Sequence, residues 1–199
     1  MQKKSENPAE ETTSIGKELR SWLLTLGVAV LLAFALGRFV IMNSSVPTGS
    51  MIPTISEHSR VIANRLSYLT ESPERGDIVI FKFPDDESVY YVKRVIGLPG
   101  ETVTIRDGLV YINDSDTPLS ENYLAEEPAA LDFGPYEVPE DSYLMLGDNR
   151  NYSKDSRYWE NTYVSKDAII GKVLVQYYPS FTWYGDYEYA AGDPLTEEE

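Results

Sequence analysis

The most apolar stretch of the chain lies near its N-terminus. Residues 22–42 read WLLTLGVAVLLAFALGRFVIM and contain a single charged residue, Arg38. A helix of this length spans about 31 Å, which matches the hydrocarbon core of a bilayer. The stretch is apolar on every face, unlike a helix that packs one face against a soluble core. This pattern predicts a transmembrane anchor helix over residues 22–42, preceded by a polar, disordered tail over residues 1–21.

The charges around this helix predict its orientation. Lys17 and Arg20 precede it, whereas uncharged polar residues follow it at 43–45. The positive-inside rule therefore places the N-terminus in the cytoplasm and the rest of the chain outside, at the cell membrane. A cleaved signal peptide is the alternative, because Ala33-Phe34-Ala35 has the small-x-small form of a cleavage site. The apolar run continues to Met42, which is long for a signal peptide and favours an uncleaved anchor.

Beyond the anchor, short apolar and alternating runs predict β-strands. They are rich in Val, Ile and Tyr, which favour strands, and turn residues separate them. Asp107-Gly108, for example, is a typical hairpin turn. The strand candidates are 60–64, 78–83, 89–96, 102–105, 109–112, 143–146 and 169–178. We therefore expect residues 43–199 to form a mostly β, antiparallel domain, with a loose tail over residues 179–199.

Composition excludes several kinds of site and partner. The formal net charge is −15, with 32 acidic against 17 basic residues, which disfavours nucleic acid and anionic lipid headgroups as partners. The chain has no cysteine and one histidine, His58. Disulfides and thiolate metal sites are impossible, and a Ser-His-Asp triad is disfavoured. The sequence predicts neither a metal nor a cofactor.

Residues 46–54, VPTGSMIPT, are the first candidate for chemistry. Two prolines restrict the backbone on either side of Ser50, and Gly49 allows close approach of another chain. If the stretch is extended, the hydroxyls of Thr48 and Ser50 point the same way. A nucleophile and an oxyanion donor could then lie side by side. The alternative is a simple linker between anchor and domain.

A nucleophilic serine needs a base, and without histidine that base must be a lysine or a carboxylate. Three lysines lie in predicted strands: Lys82, Lys93 and Lys172. Lys93 shares a strand face with Tyr91 and Val95, an apolar setting that would lower its pKa. Arg94 lies on the opposite face but cannot give up its proton. An edge-strand lysine that prevents aggregation is the alternative for each lysine.

Residues 147–159, GDNRNYSKDSRYW, are dense in hydrogen-bonding side chains and follow an apolar strand. Asp155 and Arg157, two residues apart, could form an ion pair, and Ser153 could orient a lysine amine. Read alone, the block is more typical of a solvated turn than of a functional site.

Four blocks in this order resemble the type I signal peptidases, membrane-anchored serine proteases that remove signal peptides from exported proteins. The blocks are PTGSMIPT at 47–54, RGDIV at 75–79, YVKRVIGLPGE at 91–101, and GDNR through DSR at 147–157. The resemblance extends from the anchor to about residue 178. Glu160 and Asn151-Tyr152 depart from the family pattern, which affects local loop shape rather than the residues assigned to chemistry.

The resemblance implies roles for particular residues. Ser50 would be the nucleophile and Lys93 the general base. The supporting residues would be Thr48 in the oxyanion hole, Ser153 orienting Lys93, and Asp155 with Arg157 as a structural pair. Met51, Tyr91 and Val92 would contribute to shallow substrate pockets for small side chains.

The resemblance also implies partners: preprotein signal peptides cut after a small-x-small site, the lipid bilayer, and the secretion translocon as a further candidate. An exposed apolar surface of the domain would meet the membrane. Two alternatives stay open at this point. One is a membrane-tethered, β-rich binding module, and the other is an inactive relative that binds signal peptides without cutting them.

Overall fold

A computed structural model describes residues 8–185 of the 199-residue chain. One long helix, α1, is followed by a π-helical turn, and the strands come after it. The elements are α1 (Pro8–Ala35), the π turn (Leu36–Val40), β1 (Ile41–Val46), β2 (Ser59–Asn64), β3 (Ile78–Phe83), β4 (Asp86–Gly97), β5 (Thr102–Arg106), β6 (Leu109–Ile112), β7 (Phe133–Glu137), β8 (Ser142–Leu146), β9 (Tyr163–Ser165), a 3₁₀ turn (Lys166–Ala168), β10 (Ile169–Tyr178) and β11 (Thr182–Trp183). The chain divides into two compact units, the first ending at Val40.

The helix is long and apolar enough to cross a membrane. Over Gly16–Val40 its mean hydropathy is 2.2, judged by length and composition alone. Its bounds differ from the prediction, because α1 already begins at Pro8 and the chain is in β1 by Ile41. Residues 9–21 contain good helix formers, and extending an existing helix is much easier than starting one. The polar segment is therefore helical from Pro8 onward, instead of irregular as expected.

The second unit is a mostly antiparallel β domain, as the sequence predicted. Seven strands follow one another in the order β1-β2-β10-β3-β4-β8-β9, with β11 added beside β10. A three-stranded sheet has the order β6-β5-β7, and the predicted hairpin turn at Asp107-Gly108 joins β5 to β6 with positive φ at both residues. In the larger sheet, β4 lies between β3 and β8. This central strand carries Lys93.

The antiparallel register of β3 and β4 determines the positions of the two cationic side chains of β4, Lys93 and Arg94. Lys93 lies opposite Val79 of β3, and the adjacent Arg94 lies opposite Ile78. Successive side chains point to opposite faces of a strand, and here both cations are buried. The sheet is thus covered on both faces at this point, which keeps water away from both cations.

The end of the described chain is more ordered than expected. Residues 179–185 belong to the predicted loose tail, yet β11 pairs with β10 and Tyr184 is buried. Tyr184 joins a core cluster with Val46, Met51 and Ile55, on either side of Ser50 in sequence. Fully burying such a side chain contributes roughly 1.5–3 kcal/mol of stability. The rest of the predicted tail, residues 186–199, lies outside the described residues.

Candidate active site

Ser50 lies in a turn between β1 and β2 and is half-buried. The turn is tight rather than extended, because the amide of Ile52 donates to Gly49 O at 3.2 Å and that of Ile55 to Met51 O at 2.8 Å. The hydroxyl oxygens of Thr48 and Ser50 nevertheless lie 3.5 Å apart. The two hydroxyls are therefore neighbours, as the spacing of two suggested.

Lys93 reaches Ser50 from 43 residues further along the chain. Its Nζ is in hydrogen-bond contact with Ser50 Oγ, and the side chain is only 3% exposed. Burial lowers the pKa of Lys93 to about 8; Asp155 and Asp148 oppose this shift and Arg157 adds to it. At pH 7 roughly a tenth of such an amine is uncharged, against about 0.04% for an ordinary lysine. The structure therefore brings the predicted serine and lysine together in a setting that favours a neutral amine.

Ser153 lies beside this pair. Its hydroxyl is buried, and it has no hydrogen-bond partner within residues 8–185. A Cβ built on Gly147 would lie 2.2 Å from Ser153 Oγ and 2.5 Å from Ser50 O. Only a glycine fits between them. The close approach leaves the Ser153 hydroxyl available for a further contact.

Asp155 and Arg157 form an ion pair. Arg157 Nε donates to Asp155 Oδ1 at 2.8 Å and Arg157 Nη2 donates to Asp155 Oδ2 at 2.9 Å. Asp155 Oδ2 also accepts from the amide of Gly147 at 3.0 Å, while Arg157 Nη2 donates to Arg150 O at 2.8 Å. The pair thus holds the backbone that borders Ser50.

Two further residues near Ser50 have no individual role in the sequence prediction. The backbone N–H of Asn149 donates to Ser50 O at 3.0 Å, and its side-chain Nδ2 donates to Gly49 O at 2.9 Å. Asp148 binds Arg94 through two bonds, of 2.9 and 2.6 Å, and both side chains are buried. The density of polar side chains after an apolar strand was the available signal for these contacts. Their partners, however, lie far away in sequence.

The predicted pocket residues have different surroundings. Met51 has no exposed surface and packs in the core. Tyr91 is half-buried and stacks on Phe83 with ring centroids 4.4 Å apart, and Lys93 Nζ lies 5.8 Å from its ring centre. Val92 is half-buried and packs against the cluster that contains Met51. Tyr91 therefore lies beside the Ser50–Lys93 pair, whereas Met51 lines the core. Substrate contact by all three stays a prediction.

Residues 8–185 contain no group of three or more His, Asp or Glu side chains arranged to hold a metal ion.

The family model and the similar proteins found by comparison are all signal peptidases. The family described as signal peptidase, peptidase S26 matches residues 19–178. A probable signal peptidase I-2 from Synechocystis sp. is 40% identical over 183 residues, which cover 89% of this chain and 78% of that protein. A signal peptidase I from Leptolyngbya laminosa is 39% identical, with 86% of each chain covered. A signal peptidase I from Enterococcus faecalis V583, known from a crystal structure, shares 37% sequence identity with this chain. The match covers 51% of this chain and 97% of that one, with a TM-score of 0.44.

The family match spans most of the chain and all four blocks that carry the resemblance seen in the sequence. That resemblance is confirmed. The chain belongs to the signal peptidase I family, peptidase S26.

Proposed function

We propose that this protein is a membrane-bound serine endopeptidase that removes N-terminal signal peptides from exported preproteins. Membership of the signal peptidase I family supports this activity. The observation that carries it is the contact between Ser50 Oγ and the buried amine of Lys93. A hydroxyl beside an amine of lowered pKa is the arrangement that an activated serine nucleophile requires.

The reaction proceeds in two steps on this pair. Ser50 Oγ attacks the carbonyl carbon of the scissile bond while Lys93 Nζ takes the hydroxyl proton. The C–N bond then breaks, Lys93 gives the proton to the leaving amine, and the signal peptide remains as an ester on Ser50. Lys93 next takes a proton from water, which attacks the ester carbonyl. The C–O bond to Ser50 breaks, and the signal peptide leaves as a carboxylic acid that loses its proton to solvent. Ser50 recovers its proton from Lys93.

Neighbouring groups support each stage. Thr48 Oγ1, 3.5 Å from Ser50 Oγ, is in place to donate to an oxyanion that forms beside Ser50, together with the Ser50 amide. Ser153 is assigned to orient the Lys93 amine by its position in the family blocks. Its buried hydroxyl makes no hydrogen bond to Lys93 or to any other residue of 8–185, so it must turn toward Lys93 Nζ in this role. Asp155 and Arg157 hold the intervening backbone. These assignments follow the order of the family blocks and the contacts around Ser50.

Substrate choice would depend on small pockets beside Ser50 and Lys93. Cleavage after a small-x-small sequence requires pockets that admit only small side chains, and Tyr91 and Val92 are the half-buried candidates to line them. Met51 would act from beneath, since its side chain lies in the core.

We assign the helix as an uncleaved anchor with its N-terminus in the cytoplasm and the β domain outside. The apolar helix over Gly16–Val40 supports the anchor. Exposed aromatic side chains at Tyr178, Phe181 and Trp183 suit contact with a bilayer surface. Confinement to that surface raises the effective concentration of enzyme and preprotein, and the secretion translocon would deliver the substrate there.

Incubation of the detergent-solubilised full chain with a preprotein tests this function. We expect one cut, directly after the second small residue of a small-x-small site. A matched preprotein with leucine in both small positions should stay intact. An uncut small-x-small preprotein over the whole accessible pH range would contradict the proposal and favour a relative, or a β-rich module, that only binds signal peptides.

Cleavage should depend on pH in the direction set by Lys93. Burial lowers the pKa of this amine to about 8, and only its neutral form accepts the Ser50 proton. The value of kcat/KM should therefore rise about tenfold per pH unit below pH 8 and level off above it. Initial rates from pH 5 to 10 measure this profile, with tryptophan fluorescence at each pH as the control for folding. A flat profile down to pH 5 would exclude a lysine base.

A further inference from the structure

The segment that follows β10 reaches back to the turn that carries Ser50. β11 pairs with β10 through Val175 opposite Trp183, and the amide of Tyr184 donates to Leu174 O at 2.7 Å. Tyr184 is the next residue after β11, and its side chain is 7% exposed. The family match ends at residue 178, so this segment lies beyond it.

The Tyr184 side chain makes two kinds of contact with the Ser50 turn. Its ring packs in the cluster that contains Met51 and Ile55, which flank the turn. Its hydroxyl donates to Thr54 O at 2.7 Å. Burial also raises the pKa of Tyr184, so the hydroxyl keeps the proton that this bond requires. The tyrosine therefore fixes the far end of the turn through both packing and a directed hydrogen bond.

The near end of the turn is held by a different part of the chain. Asn149 binds the carbonyls of Gly49 and Ser50. Thr54 is held on its side chain as well, since its hydroxyl donates to Asp148 Oδ2. The turn is thus held at Gly49 and Ser50 by Asn149, and at Thr54 by both Asp148 and Tyr184.

We infer that Tyr184 is a positioning residue for the Ser50 nucleophile, through its hydrogen bond to the Thr54 carbonyl; this rests on the proposed function. Tyr184 touches neither Ser50 Oγ nor Lys93 Nζ in the contacts described above. It acts by limiting the movement of the turn, so that Ser50 Oγ stays within reach of the amine. A displacement of about 1 Å at a reacting atom can reduce a rate by about 100-fold.

The variant Tyr184→Phe removes only the hydroxyl and keeps the ring in the core. We expect kcat for preprotein cleavage to fall about tenfold, with KM changed less than twofold, because ground-state binding does not depend on this bond. Tyr111→Phe is the matched control, since Tyr111 is also a tyrosine removed from solvent in part but lies on β6, in the separate three-stranded sheet. Its kcat should equal that of the natural chain.

Amide hydrogen exchange of the full-length proteins in detergent gives a readout independent of cleavage. In Tyr184→Phe the backbone amides of residues 50–55, apart from Pro53, which has no N–H, should exchange about tenfold faster, while those of β3 keep their natural rates. The double variant Tyr184→Phe/Thr54→Val should lose less activity than the product of the two single losses, because both changes loosen one turn.

The outcomes separate this inference from the proposed function. If the natural chain leaves the preprotein uncut, the proposed function is refuted. Hydrogen exchange still tests the positioning role in that case, because unchanged exchange at residues 50–55 in Tyr184→Phe would refute it. If the natural chain cleaves, the role is refuted by an unchanged kcat in Tyr184→Phe, or by faster exchange over the whole domain, which would indicate a general loss of stability.

Discussion

Replacing Lys93 by arginine is expected to lower kcat/KM for preprotein cleavage by about 10³-fold or more. Arginine keeps the positive charge and a similar length, but it cannot become neutral and accept a proton at working pH. The buried amine in contact with Ser50 Oγ would be lost, and no other described cation contacts that oxygen. Single-turnover cleavage of a labelled preprotein measures the loss.

Lys82→Arg is the matched control, because Lys82 also lies in a strand but binds Glu87 at the surface. This variant should keep its full rate. Ser50→Ala should be as inactive as Lys93→Arg, and the double variant should lose no more than either alone, because the two residues act as a unit. Cleavage by Lys93→Arg at even a tenth of the natural rate would contradict the assignment of the base.

Replacing Asp148 by alanine is expected to destabilise the β domain by about 3–5 kcal/mol. The carboxylate forms two hydrogen bonds to Arg94, and neither side chain is exposed to solvent. Its removal takes a carboxylate and two hydrogen bonds away from a buried guanidinium, which keeps its bond to Gly76 O and its position over the Tyr123 ring. Guanidinium-induced unfolding of the full chain in detergent, followed by tryptophan fluorescence, gives the change in free energy of unfolding.

The control for this measurement is Glu87→Ala. It breaks the exposed ion pair with Lys82 and should change the free energy of unfolding by less than about 1 kcal/mol. Equal destabilisation by the two variants would show that the buried pair contributes no more than a surface pair.

Seven of the strands could be predicted because each depends on a short local pattern, whereas β1, β7, β9 and β11 were missed. Alternating Val, Ile and Tyr residues defined β3 and β4, and Asp107-Gly108 defined the β5–β6 turn. Such signals lie within a few residues of one another. Lys93 was one of three strand lysines that the chemistry of a serine nucleophile left open, and the order of the family blocks selected it as the predicted base.

The remaining features depend on contacts between distant parts of the chain. Alternation could not show that Lys93 and Arg94 are both buried, since this requires β4 to lie inside the sheet with both faces covered. The sequence around Tyr184 is acidic and aromatic and resembles a tail. Its order comes from bonds to Leu174 and Thr54, the latter 130 residues away. The early start of α1 reflects the ease of helix extension, which has no sharp sequence signal.

These long sequence separations affect when a newly made molecule becomes active. Ser50 leaves the ribosome early, whereas Asn149 and Tyr184 follow about 100 and 130 residues behind the parts of the turn that they hold. A nascent chain that has not yet reached Tyr184 therefore lacks one of the contacts that hold the turn of Ser50. The local sequence around the serine is therefore made well before the residues that complete the packing of its turn.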